Sequence, residues 1–297
     1  MCAKLVLVAA LILAGCGSAP KSADAPAEPF RLKAALETES DGAKRYGRGD
    51  YATASRRFDD AARIYASVDD GPGTARNLLH RARSELALGR AEAALPVLAL
   101  AEGRTDGGVA LDILLLKAQA QLALATNDAT QQSLAAAAGL CAAGCPQLAS
   151  LHLLQARAAL AGGREQEALA HAEAALKLLQ DKDEAAETGN AWRLVAAARL
   201  AAGDAGGALP AARAALEIDR RLALPEKIAR DWLLIGDIQS RAGVRALHAR
   251  DSASRASDAA SAYRRALEVA NAAGLSDIAA LATQALAEAG KNKTIAR

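Results

Sequence analysis

The side chains that most often carry catalysis are scattered along this sequence. The four histidines are His80, His152, His171 and His248, and none of them stands in a His-Glu-x-x-His pattern. The chain also has no glycine-rich phosphate loop and no nucleophile turn of the Gly-x-Ser-x-Gly kind. His152 and His171 could be neighbours in paired helices, but two such histidines are more often surface residues than a metal site. The sequence therefore predicts no catalytic residue, no metal site and no cofactor.

Cys141 and Cys145 lie where a helix is expected to end in a turn, in the segment 139–146. In an oxidising compartment two nearby cysteines tend to pair. Four residues apart on a regular helix, their α carbons would be about 6 Å apart, at the long end of disulfide geometry, but Gly144 and Pro146 let the backbone close up. Metal binding and redox catalysis are the alternatives, although thioredoxin-like chemistry normally uses a two-residue spacer. We favour a structural disulfide.

Cys16 follows a segment with the features of a secretion signal. Lys4 precedes the apolar run 5–14, which as a helix would cover about 15 Å, half the thickness of a bilayer core. The run ends in Leu13-Ala14-Gly15-Cys16, which resembles the lipobox of bacterial lipoproteins. The resemblance implies that residues 1–15 are a cleaved signal peptide and that Cys16 carries a covalent lipid at the start of the mature chain. An ordinary secretory signal with an incidental cysteine is the alternative.

The residue after Cys16 is glycine rather than the aspartate usual in lipoproteins kept in the inner membrane, so the resemblance favours the periplasmic face of the outer membrane. The following stretch is rich in proline and small or polar residues and is too poor in apolar residues to form a core. We therefore assign residues 16–34 to the lipidated cysteine and a flexible tether, 35–290 to the folded body and 291–297 to a polar tail. The formal charge of +2 gives no attraction to nucleic acid.

The folded body contains a repeat in which a glycine precedes an alanine-rich stretch. Gly49, Gly89, Gly163 and Gly203 are separated by 40, 74 and 40 residues, which leaves room for one degenerate unit near residues 125–130. Apolar residues around each glycine recur at helical spacing. Each unit is thus predicted to hold two helices, the glycine supplying the left-handed residue that ends the first.

These units resemble tetratricopeptide repeats, in which tryptophan, Leu-Gly and tyrosine mark the first helix and glycine, alanine and an aromatic residue mark the turn and the second helix. The resemblance implies an all-α, right-handed solenoid of about six helix pairs with a capping helix at residues 276–289. A generic helical bundle is the alternative. The best-matching positions are Trp192, Gly203, Ala208, Ala212 and Ala215; Trp232, Gly236, Ala259, Tyr263 and Ala266; Gly42, Gly49, Ala54, Phe58 and Ala61; and Ala82, Gly89, Ala94, Leu98 and Ala101.

The match is incomplete, since most units lack the aromatic pair and the period is nearer 40 residues than the usual 34. The last unit carries about eleven extra residues, 244–254, which would either lengthen its two helices or form a loop.

By the same resemblance, the first helix of each unit lines a concave groove that holds a partner protein. An arginine-rich groove would suit an acidic or chain-terminal segment, because guanidinium groups bind carboxylates in pairs; arginine serving only solubility is the alternative. The residues assigned to the groove are Arg76, Leu79, Arg83, Asp112, Leu115, Gln119, Leu153, Arg157, Asn190, Arg193, Ala197, Arg230, Leu233 and Asp237.

The predicted function is that of a non-enzymatic, outer-membrane lipoprotein that acts as a scaffold or assembly factor for an envelope machine, such as one for pilus assembly, secretion, polysaccharide export or cell-wall synthesis. A periplasmic module that binds glycan or peptidoglycan is the second hypothesis, although the chain has only 3% aromatic residues to stack on sugars. A cytoplasmic scaffold resembling a co-chaperone is a third, which holds only if the signal is not used.

Overall fold

The protein is described here by a computed structural model that covers residues 30–104, 109–141, 144–180, 182–244 and 249–295. Within these residues the chain forms thirteen helices and no strands. The helices are α1 (Phe30–Gly47), α2 (Tyr51–Ala66), α3 (Gly71–Ala87), α4 (Ala91–Glu102), α5 (Ala110–Ala123), α6 (Asn127–Leu140), α7 (Leu148–Ala161), α8 (Glu165–Leu179), α9 (Ala185–Ala201), α10 (Ala205–Arg221), α11 (Pro225–Val244), α12 (Ala249–Ala272) and α13 (Ser276–Ile295). They form six successive pairs followed by one terminal helix, as the sequence predicts.

One turn geometry separates the two helices in each of the first five pairs. The four repeat glycines have positive φ, between 66° and 85°, and Ala125 takes the same place in the third pair with φ 54°. In each turn the next residue donates its N–H to a carbonyl five residues earlier, as Asp50 does to Arg45 at 3.0 Å and Thr126 does to Gln121 at 3.0 Å. The degenerate third unit is therefore a complete helix pair, with alanine replacing the glycine.

The second helix of each of the first five pairs carries a buried stripe of mostly small residues. The positions five, nine and twelve residues after the left-handed residue are all 3% exposed or less. Small side chains let two helices approach to the short end of the usual 8–10 Å spacing, which explains how an alanine-rich sequence can build this core. The buried positions are Ala54, Phe58, Ala61, Ala94, Leu98, Ala101, Thr130, Leu134, Ala137, Ala168, Ala172, Ala175, Ala208, Ala212 and Ala215.

Where the stripe carries an aromatic ring, a glycine of the first helix makes room for it. A Cβ on Gly236 would overlap the ring of Tyr263, and a Cβ on Gly42 would press against Phe58. These two pairs of residues correspond to the glycine and aromatic positions of the tetratricopeptide pattern.

The pairs stack so that the first helices lie on the inner side of the curve. Contacts join α3 to α5, α5 to α7, α7 to α9 and α9 to α11, whereas no contact of comparable extent joins one second helix to the next among the described residues. A stack of helix pairs that is in contact on one side and spread apart on the other curves toward the side in contact. The first helices therefore form the concave wall, and α2, α4, α6, α8, α10 and α12 form the outer one.

The boundaries of the body differ in detail from those expected. The first helix begins at Phe30, ahead of the expected boundary at residue 35, and α13 continues to Ile295, beyond residue 290. In the last pair, α11 and α12 have 20 and 24 residues, so residue 244 belongs to α11 and residues 249–254 belong to α12, while residues 245–248 lie outside the described residues. Cys16, the signal and the tether up to residue 29 lie outside the described residues.

Cys141 and Cys145 are joined by a disulfide between α6 and α7, with their α carbons 5.5 Å apart. Cys141 is 8% exposed and packs with Leu134 and Leu151, in a cluster that spans the third and fourth pairs. The bond thus closes the turn at the point where these two pairs meet.

Candidate functional site

The inner wall carries an open groove of about 800 Å³, which we call the central groove. It is lined by residues of the first helices α3, α5, α7, α9 and α11 and by Gln147, which lies just before α7. Leucines form its floor, and Leu115 and Leu153 are 7% and 6% exposed. Amides and charged groups form its rim. The lining residues are Arg83, Asp112, Leu115, Leu116, Gln119, Gln147, Ser150, Leu153, Leu154, Arg157, Glu187, Asn190, Arg193, Leu194, Glu226 and Arg230.

Most of the residues that the sequence assigns to a binding groove come together here. The shared set is Arg83, Asp112, Leu115, Gln119, Leu153, Arg157, Asn190, Arg193 and Arg230. Glu187 and Glu226 also line the groove and were not predicted to do so; they lie three and four residues before Asn190 and Arg230 on the same helices. Helical spacing places residues three and four apart on one face, so this signal was available.

Five of the assigned residues are not among those that line the central groove: Arg76, Leu79, Ala197, Leu233 and Asp237. Arg76 braces α3 against α1, since its guanidinium donates two hydrogen bonds to Glu39, at 2.8 and 2.9 Å, and lies over the ring of Tyr65. Burial by itself raises the pKa of Glu39, but hydrogen bonds from Arg76, Asn77 and Tyr65, with the charge of Arg76, outweigh it and lower that pKa to about 2. The positive charge of Arg76 is therefore taken up within the fold.

Leu79 and Asp237 also lie outside the central groove. Leu79 is 4% exposed and packs in the core with Leu98 and Ile113, so no partner can reach it. The carboxylate of Asp237 accepts a hydrogen bond of 2.8 Å from the hydroxyl of Tyr263 and so joins α11 to α12. These two residues and Arg76 are therefore not part of the lining of the central groove, and spacing along one helix does not reveal which neighbouring helix covers a position.

Arg193 lines the groove, but its charge is directed inward. The guanidinium forms ion pairs with Asp219 of α10 and with Asp231 of α11, the latter at 2.6 Å, and donates to Asn190 at 3.0 Å. Both carboxylates are 0% exposed, and the side chain of Arg193 is 19% exposed. This buried triad holds three helices together. The charge of Arg193 is therefore used within the fold.

The surroundings of Asp231, the second carboxylate of the triad, shift its pKa upward. Burial raises the pKa of Asp231, Arg193 lowers it and the nearby Asp219 raises it, and together these influences bring the pKa to about 7. One oxygen of each aspartate is buried without a hydrogen-bond partner among the described residues. A protonated Asp231 beside an ionised Asp219 relieves this conflict, because one arginine then faces one negative charge.

The remaining charges of the central groove are largely balanced. Arg83 lies 3.9 Å from Asp112, and Arg230 donates to Glu226 at 3.0 and 3.1 Å. Arg157 is solvent-accessible and has no carboxylate partner in the described part of the chain. Desolvation by the groove walls, and then the charge of Arg230, lower the pKa of Arg157. The groove is therefore not an arginine-lined wall: Arg157 is an uncompensated positive charge at its centre, and Glu187, which accepts a hydrogen bond of 3.1 Å from Asn190, is a negative charge without a cation partner among the described residues.

The two histidines expected to be neighbours do lie together. The Nδ1 atoms of His152 in α7 and His171 in α8 are 3.1 Å apart, so one ring donates to the other. Across the described ranges, no group of three or more histidine, cysteine, aspartate or glutamate side chains could hold a metal ion. This pair therefore contributes a contact within the fourth helix pair.

The fold and the groove together define an α-solenoid of the tetratricopeptide type with a peptide-sized inner groove. Among solved structures, the chain is similar to Cut9 in the APC/C hetero-tetramer Cut9-Hcn1, with a TM-score of 0.62, 14% identity, and coverage of 84% of this chain and 42% of that chain. It is also similar to a Rap protein complexed with competence and sporulation factor, with a TM-score of 0.59, 12% identity, and coverage of 89% and 78%. A third is a signal transduction ATPase with a tetratricopeptide repeat sensor from Pyrococcus horikoshii, with a TM-score of 0.57, 14% identity, and coverage of 80% and 36%.

These likenesses concern the fold alone, because the identities are low. The chain spans less than half of the Cut9 and Pyrococcus chains. No protein-family model matches the sequence. No characterised protein matches it either. Within the described residues, none of the helices combines the length and the apolar character needed to cross a bilayer.

Proposed function

We propose that this protein is a periplasmic scaffold, anchored to the outer membrane, that holds an extended segment of a partner protein in the central groove for an envelope machine. The observation that carries the binding role is the groove itself, with buried leucines below and amides and charges above. Side-chain amides suit a polypeptide because each offers one donor and one acceptor to a backbone amide. The Rap structure, a fold neighbour, is a complex with competence and sporulation factor, which supports a similar use of this fold.

The dimensions of the central groove suit an extended peptide better than a compact ligand. The groove crosses five first helices, from α3 to α11. At about 8–10 Å between neighbouring helices this is roughly 35 Å, room for about ten extended residues at about 3.3 Å each. The lining of the groove contains leucine, amide and charged side chains, and no aromatic residue among those described. Sugar-binding surfaces usually stack on aromatic rings, so the lining supports a peptide rather than a glycan.

Arg157 is expected to set the chemistry of the bound segment. A carboxylate of the segment would pair with this uncompensated guanidinium on the leucine floor, where the low local dielectric strengthens the pair. A photo-crosslinking residue in place of Gln119, in the native cell envelope, would capture the partner. A peptide that spans the crosslinked site should then bind Arg157→Glu at least about tenfold more weakly than the unmodified protein.

Two controls make this measurement specific to the groove. Arg221→Glu makes the same charge change at the exposed end of α10, outside the groove, and should leave the affinity within about twofold. A peptide whose carboxylates are replaced by amides should bind the unmodified protein and Arg157→Glu equally. Unchanged affinity for Arg157→Glu, or equal losses from both arginine variants, would show that the segment is not held by Arg157.

The anchoring part of the proposal rests on Cys16 and the signal before it. Cys16→Ser should abolish incorporation of labelled palmitate and release the protein from the outer-membrane fraction into the soluble periplasm. Globomycin should cause the unprocessed form of the natural protein to accumulate. If Cys16→Ser fractionates as the natural protein does and globomycin has no effect, the protein is not a lipoprotein and the envelope role fails with it.

A further inference from the structure

A second groove runs along the outer wall of the last two helix pairs, and we call it the outer groove. It lies between α10 and α12, with α11 as its floor, and consists of two hollows of about 500 and 270 Å³ that share Arg213 and Gln239. On α10 its residues recur every three or four positions from Ala205 to Arg220, so one face of that helix lines it throughout. The groove exists because the second helices α10 and α12 are not closely packed against each other along this face.

The outer groove collects positive charges that the fold does not use. Arg213, Arg220 and Arg255 line it, and the guanidinium of Arg265 reaches it from α12. None of these four arginines has an ion-pair partner among the residues that the structure describes, and all four are exposed. Glu217 and Asp258 also line the groove but leave the arginines in excess. Free arginines are therefore concentrated here, whereas those of the central groove are mostly paired.

An aromatic platform lies among these charges. The guanidinium groups of Arg220 and Arg265 lie 5.1 and 4.7 Å from the ring centre of Trp232, on the floor of the smaller hollow. Each arginine is held near its place by attraction to the indole ring while its N–H groups remain available. Leu216 and Ile235 continue the apolar floor. The groove thus combines preplaced cations with an apolar surface.

The floor also carries a buried acceptor that lacks a donor. The Oε1 atom of Gln239, at the junction of the two hollows, is shielded from solvent and accepts no hydrogen bond in the described part of the molecule. Leaving a buried carbonyl without a donor is unfavourable. A ligand that brings an N–H group to this point would remove that cost, which favours a polypeptide over an inorganic anion.

We infer that the outer groove binds an acidic polypeptide segment of a partner protein, laid along α10 and independent of the segment held in the central groove. Arg213 and Arg220 are seven residues apart on one helix, about 10 Å, so a single small anion cannot bridge them. A chain with carboxylates at intervals can contact both and place an apolar side chain on Trp232.

The test uses a labelled peptide built from Glu-Glu-Leu repeats and an analogue built from Gln-Gln-Leu repeats, each titrated against the full chain. The acidic peptide should bind and the amide analogue should not. The double variant Arg213→Glu, Arg265→Glu should weaken binding about tenfold or more, because it removes two cations and adds two repelling charges. The milder Arg213→Gln, Arg265→Gln should weaken it less, and both should melt as the unmodified protein does.

The matched control is Arg221→Glu, Arg264→Glu, which makes the same change in net charge on the same two helices but at residues outside the outer groove. This control should keep the affinity within about twofold. Equal weakening by the two double variants would reduce the interaction to general electrostatics and overturn the inference. So would loss of binding in Arg157→Glu, which would place the peptide in the central groove, or binding to vesicles of anionic phosphatidylglycerol without binding to the peptide.

Discussion

Replacing Arg193 with methionine is expected to lower the free energy of unfolding by about 3–5 kcal/mol at neutral pH, the largest effect of any single substitution considered for this protein. The variant leaves Asp219 and Asp231 with side chains that are 0% exposed and no cation between them. The negative charge that remains on this pair of carboxyl groups, one of which can hold a proton, then has neither water nor a counter-charge in a medium of low dielectric. Urea unfolding followed by circular dichroism would measure the loss.

Arg199 supplies the matched control because it lies on the same helix and also pairs with a carboxylate. Its partner, Glu173, is 3.3 Å away, and the two side chains are 34% and 51% exposed. Exposed pairs of this kind contribute about 0.2–1 kcal/mol, so Arg199→Met should cost less than about 1 kcal/mol. Similar losses from the two variants would mean that the triad is no more important than a surface pair.

A triple variant distinguishes two causes of the instability: lost packing around Arg193 and uncompensated buried charge on the two aspartates. Arg193→Met, Asp219→Leu, Asp231→Leu removes the arginine and both carboxylates, and it should recover most of the stability that Arg193→Met loses. If the triple variant is as unstable as the single one, the cost lies in lost packing around Arg193 rather than in buried charge.

The repeat architecture could be predicted from the sequence because it depends on local rules. The turn between paired helices requires a left-handed residue followed by an alanine at the fifth position, and both leave a mark every 40 residues or so. The third unit keeps the same geometry with Ala125 in the place of glycine and a buried Thr130 in the place of the alanine. Contacts within a helix pair span few residues, so their pattern is legible along the chain.

The chemistry of the grooves was less accessible because it depends on contacts between units. Arg76 meets Glu39 across 37 residues, and Arg193 meets Asp231 across 38. An arginine is paired only if a neighbouring unit places a carboxylate beside it. Spacing along one helix does not show whether this happens. One signal was present: Asp219 continues the buried stripe of α10 four residues after Ala215, where a carboxylate inside the core needs a partner.

The outer groove escaped sequence analysis for a related reason. The arginines of α10 and α12 look like ordinary solubilising residues until the two helices are known to lie side by side with α11 beneath them. Their carboxylate neighbours, Glu217 and Asp258, are close in sequence and would normally be expected to pair with them. The structure directs these side chains along a common groove without forming such pairs among the described residues.

The buried triad also predicts an unusual dependence of stability on pH. The pKa of Asp231 is about 7 in the folded protein, against 3.8 for an unperturbed aspartate. A carboxyl group whose pKa is raised by folding stabilises the fold below its unfolded pKa and loses that contribution as the pH rises through its folded pKa. Its contribution to the free energy of unfolding should therefore fall between pH 5 and pH 8, by about 2–3 kcal/mol.

Other groups titrate in or near this window and must be subtracted. Burial lowers the pKa of His80 and His171, so these histidines destabilise the fold as the pH falls, which opposes the effect of Asp231. Glu39, with a pKa of about 2, loses its stabilising effect only below about pH 4.5. A measurement confined to pH 5–8 excludes Glu39, and a comparison with Asp231→Asn cancels the histidines, which both proteins share.

Asp231→Asn mimics the protonated aspartate at every pH, so its stability relative to the natural protein should increase from pH 5 to pH 8 by the same 2–3 kcal/mol or so. The sign is the decisive part. If Arg193 instead kept both aspartates ionised, folding would lower the pKa of Asp231. Asp231→Asn would then lose stability relative to the natural protein as the pH rises. A relative gain would instead establish that one arginine is shared by two carboxylates, one of which carries a proton near neutrality. Asp219→Asn, which leaves Arg193 paired with an ionised Asp231, should then remove the pH dependence of Asp231 by lowering its pKa.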